Sequence, residues 1–309
     1  IVMAEELEDK IINHLIAEYI LVKVFENKYT DNMCATRVGK GTGYALKLLR
    51  EYINAIKKEH DNFYVLKIDI SKYFYRINHD VLKQILSEKI KDKDAIDVLY
   101  KIIDTTNDDY VNNDIERLKE SRIKYFNSHN DKNRDKLIAE VNKIPLYEYG
   151  RGVALGNQTS QAFGLIYTYK LNHYLREDLH LNYTINYMDD YVIFHHDKKY
   201  LKYCLNEIKE KIEKEYKLKL NPKKTKINNI KNGIDFLGYR FYIKDDKVIL
   251  KLRNRTKKNF KKKVKNLKQL KKYNYINEIE FKNQISSYFG LLKWGNCNNL
   301  WHKVVEDVC

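Results

Sequence analysis

The sequence predicts an α+β fold. Three observations carry that prediction: apolar residues recur at helical spacing in several separate stretches, two apolar β-prone runs flank an acidic turn at 183–194, and two short strands precede a helical, basic tail. With 309 residues, 43% of them hydrophobic, the chain is long enough for a sizeable core and two lobes. Only 2 Pro and 11 Gly occur, so no linker rich in them stands out, and no internal repeat is present.

Taken in order, residues 5–25 read as a helix with Leu7, Ile11, Leu15 and Ile16 on one face. The segment 11–24 is the longest apolar stretch, but Asn13, His14, Glu18 and Lys23 interrupt it, which predicts a core helix rather than a membrane span. Residues 29–43 are polar and contain glycine. A second helix follows with Leu48, Leu49, Tyr52, Ile53 and Ile56 as its stripe, and 63–70, FYVLKIDI, reads as a strand. A helix begins near His79 and carries Leu82, Ile85 and Leu86. Residues 104–148 are polar and charge-rich and read as an insertion, partly helical and partly mobile. Order returns at Leu146. A helix over 160–175 has no breaker except Gly164, with Ser160 placed as its cap. The hairpin over 183–194 turns at Met188–Asp190, and 200–216 is amphipathic through Leu201, Leu205, Ile208 and Ile212. Strands are expected around 233–242 and 247–252, then a helical tail from Lys257.

A net charge of +16 and a pI near 9.3 imply a surface that attracts polyanions, nucleic acid first and an anionic membrane surface second. No stretch is long enough to span a bilayer, and no signal peptide is evident. Cys34, Cys204, Cys297 and Cys309 lack metal-ligand spacing and read as reduced thiols of a cytoplasmic protein. The chain opens on Ile1 rather than Met, as expected of part of a longer chain.

The chemistry-bearing segment is INYMDDYVIF, which sets two adjacent carboxylates between apolar runs. Like charges side by side are unfavourable unless a cation neutralises them. Alone, Asp189-Asp190 fits a solvated turn as well, because Asp favours turns. Asp69, at the end of the apolar strand VLKIDI, fits a turn or helix cap when read alone. Together, three carboxylates from two strands would form a platform for Mg²⁺, a hard cation usually shared with substrate phosphates.

KIDISKYFYRINHD, GVALGNQTSQ, YMDDYVIF, NPKKTKI and FLGYRF stand in the order of successive reverse transcriptase motifs, and the chain resembles bacterial enzymes of the group II intron and diversity-generating retroelement lineages from about Ile1 to Trp301, the 104–148 insertion excepted. The resemblance implies a right-hand polymerase fold. Fingers and palm would span 1–245, with an antiparallel palm sheet, and a helical basic thumb 246–309. It implies RNA-directed DNA synthesis with two Mg²⁺ ions, Mn²⁺ being an alternative, on an RNA template with a DNA primer or RNA–DNA hybrid and dNTPs.

By the same resemblance Asp69, Asp189 and Asp190 are the catalytic metal ligands, joined by the carbonyl of Ile70. Phe74, five positions after Asp69, would lie under the incoming sugar and exclude a 2′-hydroxyl, although an aromatic there also suits a core. In GVALGNQTSQ, Leu155, Gly156 and Gln158 would face the nucleotide. Many reverse transcriptases have Pro-Gln-Gly where this chain has Ala154-Leu155-Gly156, and diversity-generating enzymes share the aliphatic residue and the following TSQ. Lys223 or Lys224 would be the general acid for pyrophosphate, or a plain surface lysine. FLGYRF resembles the primer grip, with Phe236 and Leu237 more simply core.

The stretch 251–272 has twelve Lys or Arg and no acid, while Phe260, Val264 and Leu267 recur at helical spacing. Either it is a solvated face, or Lys257, Lys258, Lys261, Lys262 and Lys265 grip phosphate as a thumb. Tyr288, Trp294 and Trp301 would be thumb core. The fingers hairpin, with its triphosphate-binding basic residues, would precede Ile1, leaving Arg37 and Lys40 as the remaining basic candidates near nucleotide or template. A small accessory protein is a further expected partner; a membrane is not. Three settings stay open: a diversity-generating enzyme, a free-standing intron-like or phage-defence enzyme, and a non-catalytic RNA-binding protein that keeps the polymerase fold.

Overall fold

The computed structural model describes residues 6–129, 133–245, 247–295 and 298–306, so Cys297 and Cys309 lie outside the described residues. Helix α1 (Leu7–Ile16) runs through a π-helical stretch, Ala17–Val22, into α2 (Lys23–Phe25). Then come α3 (Thr42–Glu59), β1 (Tyr64–Asp69), α4 (Tyr73–Arg76), α5 (His79–Lys89), α6 (Lys93–Asp104), α7 (Asp109–Ser128) and α8 (Arg134–Asn142). They are followed by α9 (Gln158–Glu177), β2 (Thr184–Tyr187), β3 (Asp190–His195), α10 (Lys198–Lys214) and β4 (Lys226–Asn229). The chain ends through β5 (Ile234–Phe236), β6 (Tyr239–Lys244), β7 (Lys247–Leu252), α11 (Asn254–Lys272), α12 (Glu278–Trp294) and α13 (Asn298–Trp301). One sheet has the order β2-β3-β1-β4, and a second is the antiparallel meander β5-β6-β7. The predicted mixture of helices and antiparallel strands is therefore present. Among the described residues no helix is long and apolar enough to cross a membrane.

The chain forms two compact units: 1–38, 67–193 and 199–226 make the first, and 39–66, 194–198 and 227–309 the second. The expected boundary follows Asp245, the residue after β6, and β6 pairs with β7 from Tyr239↔Leu252 to Lys244↔Lys247.

In the first unit α9 is the central helix. It buries Phe163, Leu165, Ile166, Tyr167, Leu171 and Leu175, and α1 and α5 pack on it. The face of α1 differs from the one its periodicity predicts. Leu7, Ile11 and Leu15 are 72%, 52% and 50% exposed, whereas Asn13 and Ile16 are buried. Asn13 tolerates burial because both ends of its amide are engaged: Thr159 Oγ1 donates to its Oδ1 at 2.7 Å, and its Nδ2 donates to Asp9 O at 3.1 Å. The 104–148 insertion is helical on both sides of 130–132, as α7 and α8. Val111, Ile115 and Tyr147 form a small core there, with Tyr75 and Ile144 packed against it.

That core depends on Gly152. Its φ is +91°, and a Cβ placed there would lie 2.4 Å from Tyr147 Cδ1. Gly152→Ala is expected to cost roughly 2–4 kcal/mol, from left-handed strain plus overpacking. The check is the urea midpoint, which should fall with an unchanged m-value.

In the second unit α3 buries Ala45, Leu46, Leu49, Ile53 and Ile56, close to its predicted stripe. Helix α11 buries Phe260, Val264 and Leu267, as its spacing predicts. The rings of Tyr288 and Trp301 stand 5.2 and 6.4 Å from that of Phe260. Trp294, expected in this core, is 41% exposed and lies against Gly43, where a Cβ would come within 2.6 Å of its ring.

Candidate active site

Residues Val65, Leu66, Ile68 and Ile70 are buried, so β1 is apolar on one face and carries Val65 at the start of the other. Period-two alternation sets Lys67 and Asp69 on one face. Strands β2 and β3 pair from Thr184↔Ile193 to Tyr187↔Asp190, which leaves Met188–Asp189 as a two-residue turn. Met188 takes φ 61°, and buried Asn186 holds the turn by donating Nδ2 to Met188 O at 2.7 Å. Ile70 N donates to Asp189 O at 3.2 Å, which stitches the end of β1 to the turn and brings Asp69 beside the acidic pair.

Each acid has a distinct environment. Asp69 is 7% exposed, and both of its carboxylate oxygens are engaged. Lys224 Nζ donates to Oδ1 at 2.8 Å and Asn221 Nδ2 to Oδ2 at 2.9 Å, while Asn221 N donates to the Asp69 carbonyl at 2.8 Å. Asp190 Oδ2 faces Lys67 Nζ at 3.2 Å, and its buried Oδ1 has no hydrogen-bond partner. Burial pushes the Asp189 carboxyl up to about 6, and the negative charges of Asp69 and Asp190 add to the rise. Burial also raises Asp190, against the pull of Lys67. The hydrogen bond to Asp69 raises Lys224 and keeps its ammonium protonated.

This arrangement is short of cationic charge. Among the described residues no three His, Cys, Asp or Glu side chains are arranged as a closed metal cluster, and the ammonium groups of Lys224 and Lys67 sit on two of the three acids. The donor set nonetheless suits a hard divalent cation. All three side chains offer carboxylate oxygens, and Asp190 Oδ1 is a buried acceptor without a donor. Asp69, Asp189 and Asp190, with the carbonyl of Ile70 at the same strand end, are the residues that would hold it.

The aromatic pair of DISKYF follows at once. Tyr73 is buried and donates Oη to Gly164 O at 2.5 Å, and its ring meets Phe74 edge-on at 5.3 Å. Phe74 is half-buried, packed on Gly164 of α9. The glycine-containing loop runs alongside: Gly152 N donates to Ile77 O at 2.7 Å and Val153 N to Phe74 O at 2.9 Å. Leu155 is half-buried and Gly156 exposed in the turn before α9, and half-buried Gln158 is the first residue of that helix. The helix cap is Asn157. Ser160, expected there, is the third residue of α9 and buried, because the helix starts two residues earlier than its apolar pattern does.

The remaining candidates each have their own surroundings. The Arg37 guanidinium donates to Glu26 at 2.8 Å and to the carbonyls of Thr30 and Met33 at 2.8 and 3.0 Å, with its side chain only 7% exposed, so it braces its own loop. Lys40 lies in the second unit with Nζ 3.9 Å from the Tyr44 ring centroid. On α11, Lys258, Lys261, Lys262 and Lys265 are exposed and Lys257 is half-buried. Lys67 and Asn221 were not foreseen in the sequence. The signal for Lys67 was its position two residues before Asp69 in a strand. Asn221 opens the NPKKTKI motif, ahead of its lysines.

Comparison with known proteins gives one family and several distant likenesses. The family model described as reverse transcriptase (RNA-dependent DNA polymerase) matches residues 4–241. A COX1/OXI3 intron 2 protein of Saccharomyces cerevisiae is 28% identical in an alignment of 204 residues that covers 56% of this chain and 23% of that protein. Among solved structures, telomerase from Candida albicans in complex with a fragment of telomeric RNA aligns over 97% of this chain and 48% of that one, at 14% identity and a TM-score of 0.47. Truncated apo telomerase from Candida tropicalis aligns over 77% and 44%, at 15% identity and a TM-score of 0.44. The chain thus spans under a quarter of the yeast relative and under half of either telomerase.

Proposed function

The chain belongs to the reverse transcriptase (RNA-dependent DNA polymerase) family, and on that premise we propose that it copies RNA into DNA by adding dNTPs to a primer 3′-hydroxyl. The observation that carries this reading is the acid triad: Asp69 at the end of β1 and Asp189-Asp190 at the β2–β3 turn, joined by the Ile70–Asp189 backbone bond, with Phe74 five residues from Asp69. Its test is Mg²⁺-dependent extension of a DNA primer on an RNA template.

Two Mg²⁺ ions bound at such a triad supply Lewis-acid activation of the 3′-hydroxyl and charge neutralisation at the leaving pyrophosphate. The rest falls to side chains of this chain. Asp69, Asp189 and Asp190 supply the negative charge and oxygen donors that would hold those cations. Lys224, kept protonated beside Asp69, donates its proton to the departing pyrophosphate. The Phe74 ring closes the space below the sugar, and the loop 152–156 supports the templating base.

Lysines of α11 grip backbone phosphate without reading sequence. Neutralising Lys261, Lys262, Lys263 and Lys265 together should weaken duplex binding and flatten its salt dependence. Each lost phosphate contact lowers the slope of log affinity against log salt by roughly 0.9 on B-form DNA. Filter binding across a salt series is the check, and an unchanged slope places this helix away from nucleic acid.

Two settings have support. Leu155 and the following TSQ favour a diversity-generating, error-prone enzyme, served by a small accessory protein. The yeast intron 2 relative favours an intron-like one. Leu cannot make the hydrogen bonds by which Gln orders a templating pair. Correct and incorrect pairs differ by few kcal/mol, and about 1.36 kcal/mol in a barrier is tenfold in rate. Elevated misincorporation opposite template adenine, reduced by Leu155→Gln, is therefore expected when products from a defined RNA are sequenced. A low, even error spectrum favours the intron-like setting.

A further inference from the structure

We propose that Gly164 is a specificity-determining residue: the bare Cα at this point of α9 is the seat of the Phe74 ring and sets how far that ring reaches toward the sugar. The inference rests on the reading of Phe74 as the sugar gate.

A glycine inside a helix costs about 1 kcal/mol relative to alanine. At Gly164 the reason to keep it is steric. A Cβ there would meet Phe74 Cε1 at 3.0 Å, Met188 Sδ at 3.2 Å and Phe74 Cζ at 3.2 Å. Gly164 therefore touches both the proposed gate and the residue that leads into Asp189. Its carbonyl accepts from Tyr73 Oη, the neighbour of Phe74 on α4, at 2.5 Å. The Phe74 backbone is held as well, since its carbonyl accepts from Val153 N at 2.9 Å. With α4 pinned at two points, an added methyl acts on the ring itself. The ring is only partly buried, so it yields by turning outward from α9. The Met188 contact is with Sδ, on a flexible thioether chain that can shift aside, so the effect specific to this methyl is the one on the Phe74 ring. One methyl group thus tightens the gate from behind.

The experiment measures single-nucleotide incorporation of a dNTP and the matching rNTP by the unmodified chain, Gly164→Ala, Phe74→Val and the double variant. A displacement of a few tenths of an ångström should raise the dNTP KM by roughly 3–10-fold in Gly164→Ala, with kcat less affected and the rNTP rejected more strongly still. In the Phe74→Val background the same methyl meets a smaller side chain. There its effect should shrink to less than about twofold, because coupling is confined to residues in contact. Thermal midpoints should follow the same pattern, lowered in Gly164→Ala and recovered in the double variant. Should Gly164→Ala fail to fold, recovery of folding in the double variant supports the steric seat, and failure to recover overturns it. Equal effects in both backgrounds, or no change in KM and selectivity, also overturn the proposal. If Phe74→Val keeps dNTP activity and gains no rNTP activity, the gate reading falls and this inference with it.

Discussion

Asp189→Asn is expected to lower primer extension by about 10³-fold or more, since metal-assisted charge stabilisation is worth several kcal/mol and each 1.36 kcal/mol is a factor of ten. The change is nearly isosteric. It keeps the two-residue turn, whose geometry depends on Met188 at φ 61° and on the Asn186 hydrogen bond rather than on the Asp189 carboxylate. The Ile70 N to Asp189 O bond is a backbone contact and survives the substitution. What is lost is one negative charge of the half-buried acidic turn beside Asp69. On the proposed reading, in which lysines on other elements grip phosphate, template affinity should stay within about twofold. Extension assays paired with filter binding on the same preparation separate the two effects. Near-normal extension by Asp189→Asn would remove the carboxylate triad from the chemistry.

Phe74→Val carries the second large effect. The ratio of kcat/KM for a dNTP over the matching rNTP should fall by about 10²-fold, the scale on which a pocket discriminates by shape alone. Loss should appear mainly as gained rNTP incorporation, because the acids and Lys224 are untouched. The chain should remain folded: Phe74 is half-buried, and the contact that anchors α4 is made by Tyr73 Oη. Unchanged selectivity with surviving dNTP activity would make Phe74 a packing residue.

The features that were legible in the sequence are those set by local pattern. The stripes of α3 and α11 were read from spacing, and the hairpin that presents Asp189 and Asp190 from two apolar runs around a turn. The acids are legible because carboxylates next to apolar strands are unfavourable without a compensating charge. What pattern missed was decided between distant segments. Asn13 faces inward because Thr159, 146 residues away, gives its amide a partner, and the apolar Leu7, Ile11 and Leu15 face outward as a consequence. Arg37 carries the charge expected of a phosphate ligand, but Glu26 and two carbonyls already engage its guanidinium. Lys67 resembled any strand lysine until β3 placed Asp190 opposite it. Asn157 replaced Ser160 as the cap because α9 begins on polar residues, ahead of the apolar run.

The central claim is tested most directly by one assay: extension of a labelled DNA primer annealed to a defined RNA template, with Mg²⁺ and all four dNTPs, by the unmodified chain and by Asp189→Asn in parallel. The account predicts full-length, RNA-templated product from the unmodified chain and none above background from the variant. Binding of the primer–template without extension by either protein, or equal extension by both, would contradict it.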